Sequence, residues 1–408
     1  MEDFEQQTSY ERPTPKKAKN WKKSTSILRV IQNFINHLSA PVKISGFILI
    51  LLVIIICIVN IYSANVVYTS YEIEQAVTRD DSKSANYLAY GDGYIRYSDD
   101  GIAYYKANGT VVWNHTYEVS NPLVCVSGDY IVVGNITGRN LYVYNRNGLK
   151  ADIDAAMTVT QVDVAEQGVT AVVLEDGNTN YINMYDKEGT KLSYIITSLT
   201  GDGYPLDIAI SDDGKKLVVS YISINGEEIK SHLAFYNFSD VGQNKVDRLV
   251  GGFDHYGTSV VGEVEFIDNN TVLAIAEDRL SFYSISQYPT LVKEVEVENQ
   301  IQKFTYSKDY VGLIFNNMET VDKYRMDIYD MRGNKVSDIF FNEEYRKFEF
   351  DEDRVLLYND TLFTLMTVKG KVKYSDAFDV VIEKILPVDG KQRFKIFNSQ
   401  YIQQIKLN

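Results

Sequence analysis

The sequence predicts an all-β fold, a β-propeller of eight blades, preceded by one transmembrane α-helix and a short amphipathic cytoplasmic helix. Three observations carry this reading. From residue 86 onward, short runs rich in Val, Ile, Tyr and Phe alternate with Gly, Asp and Asn turns, and no helical period persists. A tight polar hairpin followed by an apolar strand recurs at Asp92, Asp129, Gln167, Asp213, Asn269, Asp309, Asp353 and Asp389, spaced 37, 38, 46, 56, 40, 44 and 36 residues apart. Upstream, Ile44 to Tyr62 reads ISGFILILLVIIICIVNIY, without a charged residue. A period near 40 with four strands per unit is that of a propeller, with seven blades as the alternative if a terminal unit is misread.

Residues 1–23 are polar, with Pro13 and Pro15 and no hydrophobic period, and are expected to form a disordered basic cytoplasmic tail. Lys16 to Lys23 would lie against anionic lipid headgroups, or serve only as a topogenic signal. In residues 24–43, Ile27, Ile31, Phe34, Ile35 and Leu38 share one helical face and Pro41 marks its end. That face suits the membrane interface, and a cytoplasmic partner is the other reading. The nineteen positions, among which Asn60 is the one strongly polar side chain, would rise roughly 28 Å as a helix, close to the ~30 Å hydrocarbon core of a bilayer. Residues 44–63 are therefore read as an uncleaved signal anchor that crosses once.

Charge orients this anchor. Residues 1–43 hold eight basic and four acidic residues, and Arg12 to Lys43 contains no acid. Beyond the apolar run lie 33 basic and 51 acidic residues, a net charge of −18. Basic flanks stay cytoplasmic, so the expected localisation is the cell membrane, with the N-terminus inside and the C-terminal propeller extracellular. The two cysteines, Cys57 and Cys125, fall in the anchor and the outer part, so no disulfide is expected within the propeller.

Residues 64–85 read as a tether and possible closing strand, and 86–408 as the propeller. A second repeated feature marks the turn between strands three and four: an aromatic or apolar strand end with Gly four positions on, as at Tyr105/Gly109, Tyr144/Gly148, Tyr185/Gly189, Tyr329/Gly333 and Met366/Gly370. After the eighth hairpin only RFKIFN and YIQQIKL remain, so the last unit lacks its fourth strand. The β-prone segment 65–71, NVVYTSY, is the expected closing strand, since an N-terminal strand in the last blade removes both exposed edges. The alternative is a helical stalk over 72–77 and an open last blade.

Two repeats resemble known propeller families. SDDGKKLVVS (211–220) is similar to the WD40-like repeat of TolB-type periplasmic propellers, and YYKANGTVVW (104–113) resembles a quinoprotein-like blade, with Gly109 four positions before Trp113. The Trp motif occurs once, so no quinone binding is carried over. The layout as a whole resembles an uncharacterised family of Gram-positive membrane proteins with a basic tail, one anchor and an outer propeller; this resemblance implies no activity.

Catalytic chemistry has no foothold in the motifs. The four histidines match no metal-ligand spacing, and nucleophile elbow, phosphate loop and dinucleotide fingerprint are all absent, so no catalytic, cofactor or metal residue is assigned. Asp-Gly at 100–101 and 213–214 is hairpin chemistry rather than a calcium ladder. The outer charge of −18 argues against nucleic acid. Most of the 31 tyrosines fall at alternating strand positions, where they pack between blades. Longer segments cluster in one sector, at 199–204, 222–232 and 251–258, and longer loops on a rigid ring are where recognition is placed. Asp202, Tyr204, Asp254, His255 and Tyr256 are the candidate ligand-binding residues, combining charge, an imidazole and aromatics expected to be exposed. The reading is a membrane-anchored, non-catalytic module that binds a protein or cell-envelope polymer through its propeller face. The alternative is an envelope glycan lyase or hydrolase with a site at the propeller axis, which a carboxylate pair within about 5–10 Å there, one of the two with a raised pKa, would favour.

Overall fold

Each polar hairpin closes an antiparallel strand pair in the computed structural model, which describes residues 44–46, 48–55, 65–79, 84–226, 228–318, 320–388 and 390–408. Two compact units are present, Met1–Val66 and Val67–Asn408. In the first, residues 44–46 and 48–55 are helical. Among the described residues no helix is long and apolar enough to cross a membrane. The expected tail and amphipathic helix (1–43), and residues 47 and 56–64 of the expected anchor and tether, lie outside the described residues.

The second unit contains eight four-stranded sheets. Blades 1 to 7 span residues 86–116, 122–154, 158–198, 204–253, 261–296, 301–341 and 347–377, each in simple up-and-down order. Blade 8 takes Ile382–Pro387, Arg393–Asn398 and Tyr401–Leu407 from the C-terminus and Tyr71–Thr78 from the N-terminal side. The first strands of neighbouring blades lie side by side around the axis. The eight hairpins join first to second strands, and the aromatic-to-glycine turns join third to fourth, as their spacing predicts.

The apolar core is a succession of clusters, each shared by two adjacent blades. Ile182, Ile195, Leu217 and Tyr221 join blades 3 and 4, and Phe282, Leu280, Leu313 and Phe315 join blades 5 and 6. Aromatic residues fill these seams: Trp113 stacks on Tyr144 of the next blade at 5.4 Å, and Phe363 meets Phe394 at 5.3 Å. Such pairs add to the burial of large side chains where sheets diverge from the axis. Close approach is required at Gly134, where an added Cβ would fall on the Val162 side chain of blade 3.

Closure follows the expected plan but uses a different segment. The strand is Tyr71–Thr78 rather than 65–71, and it pairs antiparallel with Tyr401–Leu407 from Tyr71↔Leu407 to Thr78↔Tyr401. The alternative of a helical stalk over 72–77 is excluded. An outermost strand is largely solvated, so apolar character does not identify it; Tyr71–Thr78 is exposed along nearly its whole length. Cross-strand charge secures it instead. Glu74, at a register shift in the pair, receives Arg393 at 2.9 Å and Gln404 at 2.9 Å, and Glu72 meets Lys406 at 3.1 Å. Part of the expected segment acts as a clasp beyond the strand. The Tyr68 N–H donates to the Lys373 carbonyl at 2.7 Å and that of Thr69 to Asn408 at 3.0 Å.

Candidate functional site

The up-and-down order gives the propeller two unlike faces. One carries the connectors between blades and the loops between second and third strands; the other carries the remaining turns. Among the described residues, the connector face has thirteen acidic and four basic residues, and the turn face thirteen and ten. The net negative charge is thus greater on the connector face, because it has fewer basic residues, and its field reaches over a distance set by salt.

Blade 4 projects from the connector face. Its middle strands, Lys216–Asn225 and Glu228–Asn237, have ten residues each, against five to seven in the corresponding strands elsewhere. The stretch 222–232, expected as a loop, is instead a ladder that pairs without a break up to Asn225↔Glu228. Three extra residues lengthen the strands by about 10 Å. The Asn225-Gly226 pair is hairpin-turn chemistry that the polar composition of the stretch obscures. Near the tip, Ile224 faces Ile229 across the ladder, 77% and 42% exposed.

The five residues singled out in the sequence surround this hairpin but divide in role. Asp202 locks its own turn, accepting from the Ser198 N–H at 2.9 Å. Tyr204 begins the first strand of blade 4, half-buried opposite Ile222. Asp254 is exposed. His255 is exposed, with Nε2 2.8 Å from Glu294, and stacks on Tyr256 at 4.5 Å. Tyr256 corrects the expectation of an exposed aromatic. It is 2% exposed, packs among Phe235, Val261 and Tyr283, and its hydroxyl lies 2.6 Å from that of Tyr283. A large ring gains more from the blade 4–5 seam than from solvent. His232, not among the candidates, belongs to this locality. It stacks on Tyr221, and burial lowers its pKa against the opposing pull of Asp202 and Asp254.

A second feature is the ring of polar links between blades. Cys125 Sγ donates to Val162 O (3.2 Å), Gln161 to Leu206 O (3.0 Å), and Lys303 to Tyr345 O (2.6 Å), while Lys384 meets Glu349 at 2.6 Å. In blades 3 to 5 carboxylates add further links. Asp163 accepts from the Ile210 N–H and Asp207 from the Val264 N–H, each at 2.8 Å. Tyr306 of blade 6 donates to Glu263 (2.8 Å) and approaches Glu265 (3.2 Å). These four half-buried carboxylates meet no cation among the described residues. Burial, then their mutual repulsion, raises Asp207 to about 8. Burial raises Asp163 to about 7 against its two backbone hydrogen bonds, and raises Glu263 and Glu265 as well. Sequence reasoning missed the cluster, although acids on the first strands of three successive blades were its signal. Among the described residues, no three carboxylate, imidazole or thiol groups are gathered to hold a metal ion.

Residues 64–407 match the model of a family described as a family of unknown function, DUF5711, and the chain belongs to that family. No curated protein matches it. Among solved structures, it is similar to BamB from Moraxella catarrhalis, with 11% identity and a TM-score of 0.53 over 83% of this chain and 100% of that one. Sqt1 from Chaetomium thermophilum gives 11% identity and 0.54 over 82% and 98%. The same protein bound to the N-terminus of the ribosomal protein L10 gives 10% and 0.50 over 79% and 92%. At these identities the likeness is one of fold.

Proposed function

We propose that this member of the DUF5711 family is a membrane-anchored, extracytoplasmic binding module that engages a protein partner through its connector face and catalyses no reaction. The observation that carries the reading is the acidic bias of that face, together with the blade 4 hairpin and its exposed isoleucine pair. A projecting apolar tip within a charged rim supplies both halves of a protein interface, a desolvated anchor and long-range attraction. The fold is compatible, since a similar propeller is seen bound to the N-terminus of a ribosomal protein. The charge-free run from Ile44 to Tyr62 supports the anchor. The partner would present Lys and Arg around an apolar pocket; an anionic envelope polymer fits this face poorly.

The test is a pull-down with full-length protein as bait, solubilised from alkali-washed membranes, where the anchor should retain it. Asp254→Lys combined with Glu228→Lys is expected to reduce capture of the partner at least about tenfold. Glu188→Lys with Asp309→Lys, on the turn face, should leave capture unchanged. Equal capture by both pairs would remove the connector face from the account.

An acid–base enzyme is the second reading, favoured by the raised pKa values of Asp163 and Asp207. Their oxygens, however, are engaged by backbone N–H groups, those of Ile210 and Val264 in the neighbouring blades and that of Val164 beside Asp163, which suits a structural stitch better than proton transfer.

A further inference from the structure

The seam between blades 5 and 6 departs from its equivalents at three consecutive positions. Among the described residues, five first strands carry a bulge against their second strand, at Thr160, Leu206, Gly262, Gln302 and Glu383. Blade 5 has the glycine of this set, and a Cβ added at Gly262 would meet nothing within 4 Å. One residue past the bulge, Gln161, Asp207 and Lys303 reach main-chain groups across their seams, whereas Glu263 accepts from the Tyr306 side chain. Two residues past it, Val162, Ile208, Val264 and Ile385 are buried, but Phe304 is 41% exposed. A missing side chain and a missing backbone stitch thus leave the seam open where its neighbours are filled. An aromatic ring left in water there forfeits burial that a ligand can restore.

The opening is a cavity of about 560 Å³ on the connector face, within the size range of binding sites. Phe304 and Ile301 supply apolar wall, Glu263 and Glu277 supply carboxylates, and no basic residue lines the space. Arg279, two positions past Glu277, is already held by Asp278 and Glu294. Burial raises the pKa of Glu263 against the hydrogen bond from Tyr306, as expected of a carboxyl group short of positive charge. One hydrogen bond from Tyr306 leaves most of the acceptor sites of that carboxylate open. An exposed ring beside two carboxylates suits a guanidinium. Its plane stacks on the ring while its edge N–H groups turn to the carboxylates, and an ammonium has no such plane.

We propose that the cavity between blades 5 and 6 receives an arginine side chain of the protein partner, its guanidinium stacked on Phe304 and hydrogen-bonded to Glu263 and Glu277. This assignment rests on the reading of the connector face as the protein-binding face, and adds the residue that the partner inserts. It supplies a desolvated charged anchor in a cleft, separate from the isoleucine pair at the blade 4 tip.

Calorimetric titration of the full-length protein with the blocked tripeptide acetyl-Ala-Arg-Ala-amide, and with its citrulline and lysine counterparts, tests this. The arginine tripeptide is expected to bind with Kd between about 0.1 and 5 mM. The citrulline form, alike in shape but uncharged, should bind at least about tenfold more weakly, and the lysine form at least about threefold. Phe304→Ala and Gly262→Leu should each weaken the arginine tripeptide at least about fivefold. Gly262→Leu keeps the Phe304 ring and should retain the thermal midpoint, since Leu206 holds the equivalent position in blade 4. Absence of saturable binding up to about 20 mM, equal affinity for the citrulline form, or undiminished binding in both variants would overturn the proposal. Partner capture that falls with Asp254→Lys and Glu228→Lys but not with Gly262→Leu would overturn the arginine assignment and uphold the connector face. Arginine tripeptide binding alongside capture that ignores all of these variants would instead overturn the connector-face reading.

Discussion

Deleting residues 71–78 from the full-length chain is expected to destabilise the propeller by about 3 kcal/mol or more and to convert it to a self-associating form. Seven register pairs join Tyr71–Thr78 to Tyr401–Leu407, and a ladder hydrogen bond contributes about 0.5–1.5 kcal/mol net. Loss of the strand also leaves Tyr401–Leu407 as an unpaired edge, a template for pairing with another chain. Val67→Pro is the matched control. Val67 is exposed and precedes both the clasp and the strand, so this change should shift stability by less than about 0.5 kcal/mol. Thermal unfolding and size-exclusion chromatography read both effects. A larger loss from Val67→Pro than from the deletion would return closure to residues 65–71.

Raising the pH from 6.5 to 8.5 should weaken the fold, and Asp207→Asn should remove part of that weakening. Asp207 and Asp163 titrate near 8 and 7 in the folded protein because burial disfavours their charged forms. In the unfolded chain they titrate near 4, so over this window the native state holds protons that the unfolded state has released. Their stabilisation is complete below about pH 4 and is lost as pH rises through 7 and 8. His232, whose pKa burial lowers, acts in the opposite sense, but chiefly below about 6.5. Because Asp207 is half-buried against the axis, the expected gain of Asp207→Asn over the unaltered protein at pH 8.5 is about 1–2 kcal/mol, shrinking toward zero at pH 5. Urea unfolding at four pH values measures it. An Asn variant that is less stable at pH 8.5 would show that the carboxylate is needed in its charged form.

What was legible in the sequence was turn chemistry. Asp92, Asp129, Asp213 and Asp309 sit at tight hairpins because short polar side chains and glycines suit those backbones, and counting them located the blades. Tyr71–Thr78 was illegible for the opposite reason: its register rests on Glu72 and Glu74 meeting Lys406 and Arg393, pairs more than 300 residues apart. Asp163, Asp207 and Glu265 occupy alternating strand positions that read equally well as solvent-facing, since a strand pattern cannot distinguish an axial wall from an outer surface. Tyr256 was misplaced because a loop residue beside Asp254 and His255 reads as exposed, whereas the connector turns its ring into the seam.

Site-specific photo-crosslinking on the two faces tests the central claim most directly. A benzophenone side chain would replace Ile224 at the hairpin tip in one full-length variant and Asn147, in a turn on the opposite face, in another. The account predicts that irradiation in cells yields a discrete, larger adduct from the Ile224 position, suppressed by Asp254→Lys with Glu228→Lys, and none from position 147. A discrete adduct from position 147 alone would place the partner on the turn face and contradict the account.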